Sequence, residues 1–310
     1  MYKFDYVFFG TSNFAGIILD QLLRTGLKPK LTITVQGKPA GRRQEIKKSP
    51  VFQLTDKLQL PTIEAASLKT PELVEKINEL NCPVGILAAM GKIVPITLIN
   101  GFARGIVNIH PSLLPKFRGP SPIQYALLNN EQTTGVTLIK LDQELDHGQI
   151  IFQQAVTIHP NETLVDLESR LAQISADLLI KTMPDYLVGK TQLVEQNHQQ
   201  ATYSKMIIRD DGKIDWNISA QEIYNQWRAF TPWPGLWTLW QGQRLKLIDL
   251  RISDIKVKPS FIELSNNRVL VGTGTNSLEL IKLQLAGRQE ILATEFIKGR
   301  KNFINTKLNT

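Results

Sequence analysis

The alternation of short apolar strands with amphipathic helices constrains the fold of this chain more than any other feature. Runs of apolar and β-branched residues, bounded by glycine, proline or polar residues, predict strands at residues 6–9, 31–35, 61–63, 84–88 and 106–110. Apolar residues at helical spacing occupy most of the intervals between them. Because strands that alternate with helices of this length pair in parallel, we predict a Rossmann-like, doubly wound and mostly parallel sheet.

Composition places the chain among ordinary globular proteins. Its 310 residues suggest about two domains, and 42% hydrophobic with 21% charged residues are enough for a sizeable core. The single cysteine, Cys82, excludes an internal disulfide and a cysteine-based zinc site, and it favours a reducing, cytoplasmic location. The four scattered histidines do not predict a metal centre. No signal peptide or membrane-spanning run is expected, and the net charge of +8 permits a polyanionic partner.

Two polar side chains lie in the strand at residues 106–110. Because strand residues alternate between faces, Asn108 and His110 share one face. Open α/β sheets bind their ligands at the C-terminal ends of such strands. A core histidine bonded to a backbone carbonyl is the alternative, but the polar pair and the proline-rich loop after it favour a ligand site.

A long motif continues from this strand. Residues 108–124 read N-I-H-P-S-L-L-P-K-F-R-G-P-S-P-I-Q, and L-D-H-G follows at residues 145–148. The pattern resembles the signature of the folate-dependent formyltransferases. K-P-A-G-R-R at residues 38–43 and P-W-P-G at residues 232–235 make the chain most similar to the methionyl-tRNA formyltransferases. The resemblance implies the formyltransferase fold. It also implies formyl transfer from 10-formyltetrahydrofolate to the amino group of methionyl-initiator-tRNA in translation initiation.

The resemblance assigns roles to single residues. It implies that Asn108, His110 and Asp146 are catalytic and that no metal takes part. The residues that it assigns to the folate co-substrate are Ser112, Leu113, Leu114, Pro115, Met90 and Gly91. Met90 replaces a tyrosine of the family; it fills the same apolar volume without a hydroxyl group.

Some positions near the motif stay open. Glu144 stands where the family commonly has glycine, and His147 stands where it commonly has threonine. His147 is therefore a rival candidate for the general base. Lys116 and Arg118 could meet either the glutamate tail of the folate or the tRNA, and the sequence does not decide between these two partners.

A basic loop follows the strand at residues 31–35. Residues 36–48 hold one acid, Glu45, against five basic residues, which are Lys38, Arg42, Arg43, Lys47 and Lys48. Most charge runs are solvated loops, but a flexible cationic loop also suits a phosphate backbone. The similar loop of the methionyl-tRNA formyltransferases contacts the tRNA acceptor end, so the resemblance favours tRNA binding.

The last third of the chain is predicted to be a separate domain. Polar residues 190–205 read as a linker between a catalytic domain at residues 1–189 and a second domain at residues 206–310. A capping box at Ser219–Glu222 starts a helix, and short alternating runs after it predict a small OB-like β-barrel. The basic C-terminal tail is either solvated or follows a nucleic-acid backbone. The resemblance makes this domain a tRNA-binding domain.

Several functions stay open beside the main one. The acceptor could be glycinamide ribonucleotide or a nucleotide amino sugar, or the enzyme could hydrolyse formyl-folate. A non-catalytic RNA-binding protein is the alternative from another class, and the intact Asn108, His110 and Asp146 speak against it. The expected partners are initiator methionyl-tRNA and the folate co-substrate, without a membrane. We expect a monomer, although the sequence does not specify the oligomeric state.

Overall fold

The computed structural model describes residues 3–40 and 45–309, and its chain divides into two compact units. The first unit holds the described chain up to Ile123 together with Gln132–Ile158 and Asp166–Lys205. The second holds Gln124–Glu131, His159–Val165 and the described chain from Met206 onwards. Residues 190–205, predicted to be a linker, fall within the first unit.

The structure contains fifteen strands and eight α-helices among the described residues. The strands are β1 (Tyr6–Gly10), β2 (Leu31–Val35), β3 (Lys38–Ala40), β4 (Glu45–Lys47), β5 (Thr62–Ala65), β6 (Val84–Ala88), β7 (Ile106–His110), β8 (Thr133–Lys140), β9 (Ile150–Thr157), β10 (Leu236–Trp240), β11 (Gln243–Ser253), β12 (Ile262–Ser265), β13 (Arg268–Gly272), β14 (Ser277–Leu285) and β15 (Ile291–Leu292). The helices are α1 (Asn13–Arg24), α2 (Pro50–Lys57), α3 (Pro71–Glu79), α4 (Ile96–Ile99), α5 (Pro122–Leu128), α6 (Leu164–Leu187), α7 (Ala220–Phe230) and α8 (Ala293–Lys298).

The first unit is built on a seven-stranded sheet. The strand order is β5-β2-β1-β6-β7-β8-β9, and neighbours from β5 to β7 pair in parallel. The last two strands, β8 and β9, are added antiparallel. The chain moves outward from β1 to β5 on one side and from β6 to β9 on the other, so the sheet is doubly wound. This confirms the predicted fold class.

The central strands explain why the sheet is parallel. Every residue of β1, β6 and β7 is buried, which is typical of strands covered on both faces. Gly10 ends β1 where α1 approaches closely, and a Cβ atom there would lie 2.7 Å from the Cβ of Ala15. The Ser12 hydroxyl then accepts a hydrogen bond from the Ala15 amide and caps α1. The C-terminal ends of β1, β6 and β7 therefore open onto the same edge of the sheet.

The second unit is an antiparallel, barrel-like domain. Its strands run in the order β10-β11-β14-β13-β12, and β15 pairs with β14. The end of the chain joins the two edges, because Asn309 bridges to Leu239 of β10 and Lys307 bridges to Phe261, just before β12. The predicted barrel is thus closed by the segment around Lys307, which was predicted from the sequence to be a basic tail.

Candidate active site

The three residues predicted to be catalytic lie together at the C-terminal end of β7. Asn108 and His110 point from one face of that strand, and Asp146 comes from the loop between β8 and β9. The amide nitrogen Nδ2 of Asn108 donates to Oδ1 of Asp146 at 3.1 Å. The Nδ1 atom of His110 lies 3.6 Å from the same oxygen. All three are buried, with 5%, 4% and 9% of their surfaces exposed.

The Asp146 carboxylate has hydrogen-bond donors on both oxygens. Its second oxygen, Oδ2, accepts from the backbone amide of Gly119 at 2.7 Å. A buried carboxylate is tolerated only when such donors replace the water that it loses. Position 119 requires glycine, because its φ is +108° and a Cβ atom would lie 2.6 Å from the Ser204 carbonyl oxygen. Any other residue at position 119 would therefore displace the backbone amide that donates to Asp146.

The other nitrogen of the His110 ring fixes its tautomer. Nε2 lies 3.0 Å from the carbonyl oxygen of Phe117. A carbonyl oxygen only accepts, so Nε2 carries a hydrogen and donates it. Nδ1 is then the ring atom at which a proton can be taken up or released. The carboxylate of Asp146 lies on that side of the ring, where it stabilises a positive charge.

The Asp146 backbone is held by a residue that the sequence did not single out. Asp146 has φ of +49°, a left-handed conformation that aspartate tolerates better than most residues. The Gln196 side-chain amide donates to the Asp146 and Gly148 carbonyl oxygens at 2.9 and 2.8 Å. Gln196 is 4% exposed. It was predicted to lie in a linker because the polar run around it gives no sign of burial.

Arg118 holds Gln196 in turn. The guanidinium nitrogens Nε and Nη2 donate to Gln196 Oε1 at 3.2 and 2.7 Å, and Nη2 lies 2.8 Å from His198 Nδ1. Arg118 is 3% exposed. Because the guanidinium is buried and bonded to Gln196 and His198, it is not available to a folate tail or a tRNA, the two partners that the sequence left open. Lys116, in contrast, is exposed.

The predicted folate loop is folded tightly on itself. The Ser112 hydroxyl donates to the Lys116 carbonyl at 2.6 Å, and Thr137 donates to the Ser112 carbonyl at 2.6 Å. The Leu114 amide donates to Thr137 Oγ1 at 3.1 Å. These bonds use backbone groups of Ser112 and Leu114, two residues that the resemblance assigns to the folate co-substrate. What the loop offers a ligand is the half-buried apolar surface of Leu113 and Pro115.

The second predicted folate segment follows β6. Met90 is 1% exposed and packs in the hydrophobic core of the first unit. Its sulfur lies 3.6 Å from the Thr11 hydroxyl, which donates to the Met90 carbonyl at 3.0 Å. The side chain therefore supports the segment from inside. Gly91 is the exposed part; its φ is +69°, and a Cβ atom added there would meet no other atom within 4 Å.

His147 has partners other than Asn108, His110 and Asp146. Its Nδ1 lies 2.7 Å from Asp142 Oδ2, and its ring stacks on His198 with centroids 4.0 Å apart. These contacts fix the ring beside Arg118 and the 190–205 segment. The rival interpretation of His147 as the general base thus gains no support from its surroundings.

The basic residues after β2 differ in their surroundings. The backbone of Lys38 pairs with that of Lys47 in the β3–β4 hairpin, and Lys47 is exposed. Lys48 forms an ion pair with Glu64 and lies over the Phe52 ring at 4.4 Å. Lys48 therefore anchors the base of the hairpin rather than standing free. Arg42 and Arg43, also predicted to contact tRNA, lie outside the described residues.

Two surface cavities lie away from the trio. One, of about 370 Å³, lies along α1, α2 and α6, and another, of about 570 Å³, lies along α3. Neither is lined by Asn108, His110 or Asp146. Within residues 3–40 and 45–309, no three His, Cys, Asp or Glu side chains could together hold a metal ion. No helix in the same ranges is both long and apolar enough to cross a membrane.

The chain matches known families along most of its length. Residues 4–183 match the formyl transferase family, and residues 206–301 match the formyl transferase C-terminal domain. Methionyl-tRNA formyltransferase of Chloroflexus aggregans is 35% identical, with 94% of this chain and 96% of the relative covered. That of Koribacter versatilis is 36% identical, with 94% and 95% covered.

Solved structures share the fold at low sequence identity. HypX from Aquifex aeolicus has a TM-score of 0.66 and 12% identity, covering 98% of this chain and 50% of its own. WlaRD, a sugar 3N-formyl transferase solved with dTDP and 5-N-formyl-THF, has a TM-score of 0.65 and 20% identity. That match covers 93% of this chain and all of WlaRD. These similarities establish the architecture alone.

Proposed function

Because this chain belongs to the methionyl-tRNA formyltransferase family, we propose that it formylates the free amino group of methionyl-initiator-tRNA. The formyl donor is 10-formyltetrahydrofolate, which supplies the one-carbon group when bound. The observation that carries the proposal is the convergence of Asn108 and His110 on one oxygen of Asp146. We place this step of translation initiation in the cytoplasm.

The trio suits acyl transfer between two nitrogens. A bond forms between the amino nitrogen and the formyl carbon, and the bond from that carbon to the donor nitrogen breaks. One proton must move from the attacking amine to the leaving nitrogen. Negative charge develops on the formyl oxygen, and preorganised donors usually provide the largest stabilisation there. We assign the second N–H of the Asn108 amide to this charge, since the first is directed at Asp146.

His110 is the residue that we assign to proton transfer. Its Nε2–H donates to the Phe117 carbonyl, so the proton enters and leaves at Nδ1. Asp146 stabilises the imidazolium formed in this way from 3.6 Å. The Nδ1 atom of an imidazole with a protonated Nε2 can both accept a proton and return it. Ser112 is not a nucleophile in this scheme, because its hydroxyl donates to the Lys116 carbonyl.

The loop after β7 fits a flat heterocyclic ligand. Leu113 and Pro115 present half-buried apolar surface, while Ser112 and Leu114 hold the loop rigid from below. Gly91 adds exposed backbone at the end of the neighbouring strand β6. We therefore propose that the folate ring lies against these residues, with Met90 as an internal support.

We assign tRNA binding to the basic hairpin and to the C-terminal domain. The proposed phosphate contacts are Lys38, Lys47 and the loop arginines Arg42 and Arg43, while Lys48 holds the hairpin base through Glu64. Residues 1–189 and 206–310 are proposed as the catalytic and tRNA-binding domains.

A competition among acceptors tests the function. The purified protein is given formyl-folate with methionyl-initiator-tRNA, glycinamide ribonucleotide or a nucleotide amino sugar, and the formylated product is measured. We expect formylation of the tRNA. Formylation of the amino sugar or the ribonucleotide in its place would refute the proposal, and release of free formate without any acceptor would indicate a hydrolase.

A further inference from the structure

We propose that Gln196 is a positioning residue that sets the orientation of the Asp146 carboxylate. This inference rests on the proposed formyl transfer, in which Asp146 stabilises the charge on His110. Gln196 touches neither His110 nor Asn108 through any described bond. It acts on the backbone of the loop that carries Asp146.

The side-chain amide of Gln196 makes two hydrogen bonds with that loop. Both hydrogens of its NH2 group are used, one on the Asp146 carbonyl and one on the Gly148 carbonyl. Two carbonyls held by one planar group have a fixed separation and direction. Gln143 to Leu145, before Asp146 in the turn, are exposed. The Glu144 amide and His147 Nδ1 both contact the side chain of Asp142, whereas Gln196 bonds to the Asp146 backbone itself.

The restraint is needed because Asp146 is in a left-handed conformation. A non-glycine residue with positive φ costs about 1 kcal/mol or more relative to a relaxed backbone. The surrounding contacts must therefore hold the turn. If the turn relaxed, the carboxylate would leave its positions 3.1 Å from Asn108 and 3.6 Å from His110.

Gln196 is itself fixed by the segment that contacts the carboxylate. Arg118 grips Gln196 Oε1 with two nitrogens, and the next residue, Gly119, donates its amide to Asp146 Oδ2. The 118–119 pair thus holds Asp146 twice, at the backbone through Gln196 and at the side chain directly. His198 accepts from the same guanidinium and stacks on His147, which extends the support to the surface.

The substitution Gln196→Glu tests this role with little change in shape. A carboxylate still accepts from Arg118, but it has no hydrogens for the two carbonyls and directs negative charge at them. We expect kcat for formyl transfer to fall about 100-fold, the usual effect of displacing a catalytic group by about 1 Å. Gln199→Glu is the matched control, since Gln199 is exposed and carries the same change in charge.

A double-mutant cycle separates positioning from a general loss of structure. If Gln196 acts through Asp146, Gln196→Glu should lower kcat by less than about 3-fold when Asp146 is already asparagine. The same 100-fold loss in both backgrounds would overturn the inference. Wild-type kcat in the single variant Gln196→Glu would overturn it as well.

Hydrogen exchange provides a readout that does not depend on activity. Release of the turn should speed exchange of the Gly119 amide in Gln196→Glu and leave it unchanged in Gln199→Glu, with both proteins folded. If the wild-type protein formylates no acceptor, the proposed function fails while this measurement still tests the positioning. Unchanged Gly119 exchange would then overturn the inference alone.

Discussion

The Asp146 carboxylate joins the loop between β8 and β9 to β7 and to the loop that follows β7. Asn108 and His110 approach it from β7, and Gly119 approaches it from the loop after that strand. A buried charge with several donors is costly to move, because each hydrogen bond that breaks leaves part of the charge without a partner and away from water. This arrangement explains why an exposed turn can carry a group whose position must be accurate. On the His110 ring, Nε2 is bonded to the Phe117 carbonyl, so Nδ1 is the nitrogen that faces Asp146.

Glu168 is a half-buried acid that the proposed chemistry does not use. Burial raises its pKa above the ordinary value of 4.5, and a hydrogen bond from Asn13 opposes the rise. A carboxyl with a raised pKa stabilises the fold below pH 4.5, in its protonated form. That contribution is lost as the pH rises through the folded-state pKa. The ionised side chain thus weakens the fold at neutral pH.

We therefore expect Glu168→Gln to raise the free energy of unfolding at pH 7. Glutamine keeps an acceptor for Asn13 and removes the half-buried charge. The gain should shrink as the pH falls towards and below 4.5, where both side chains are neutral. Denaturant unfolding at several pH values measures it, with Asp177→Asn, an exposed change on the same helix, as the control. If Glu168→Gln were less stable than wild type at pH 7, the predicted increase in the free energy of unfolding would be contradicted.

At the scale of elements, the end of the chain completes the second unit. Leu308 is 1% exposed, and its amide donates to the Ser260 carbonyl at 2.8 Å. Asn309 exchanges two backbone bonds with Leu239, both at 2.9 Å. A closed sheet has no unpaired edge to offer to other chains. These last residues are therefore structural, whatever their charge contributes to binding.

Leu308→Ala should destabilise the second unit by about 2–5 kcal/mol, the usual cost of emptying a buried leucine site. Lys307→Ala, one residue earlier and exposed, should change stability by less than about 0.5 kcal/mol. Thermal and denaturant unfolding of both variants compare them directly. Equal stability of the two would show that the tail is only loosely attached.

The elements also show what the sequence could predict. β2, β6 and β7 have their predicted bounds, because buried parallel strands are continuous apolar runs. The capping box at the start of α7 is present, with Ser219 and Glu222 bonded reciprocally, and this lowers the pKa of Glu222. Both signals are local. Local patterns missed α4, which is a single turn, and β12, whose alternation is short.

The residues of the candidate site could be named from the sequence, whereas the residues that hold them in place could not. Asn108, His110 and Asp146 are polar residues in a motif, so the resemblance could name them. Gln196 and Arg118 owe their importance to burial and to partners about 50 to 80 positions away in the chain. Composition shows Gln196 only as part of a polar run, and no periodicity marks it. Long-range polar pairing of this kind becomes visible only with the fold.

The net charge of the whole molecule, +8, permits the proposed tRNA substrate. The excess of basic residues, 36 against 28 acidic ones, is ordinary in size. Some basic side chains already have partners within the protein, as Lys48 does with Glu64. In the tail, Lys298 pairs with Glu295 and Arg300 stacks on Phe296. The net charge alone therefore does not locate a tRNA surface.

Reversal of Arg42 and Arg43 to glutamate should weaken binding of initiator tRNA and flatten its salt dependence. Each phosphate that the protein no longer neutralises lowers the slope of log affinity against log salt by about 1. The control reverses Lys28 and Lys57, which are exposed and precede β2 and β5, at the opposite edge of the sheet from His110. It changes the net charge equally. An identical slope in wild type and the arginine variant would assign the loop to solvent.

Asn108, His110 and Asp146 are proposed to act together on one formyl group, and the turnover of His110→Ala tests this proposal most directly. Formyl transfer to methionyl-initiator-tRNA is measured at saturating substrates for wild type, His110→Ala and the exposed-histidine control His159→Ala. We predict that His110→Ala lowers kcat about 100- to 10,000-fold while its unfolding transition is retained, and that His159→Ala matches wild type. Folded His110→Ala with near wild-type turnover would contradict the account.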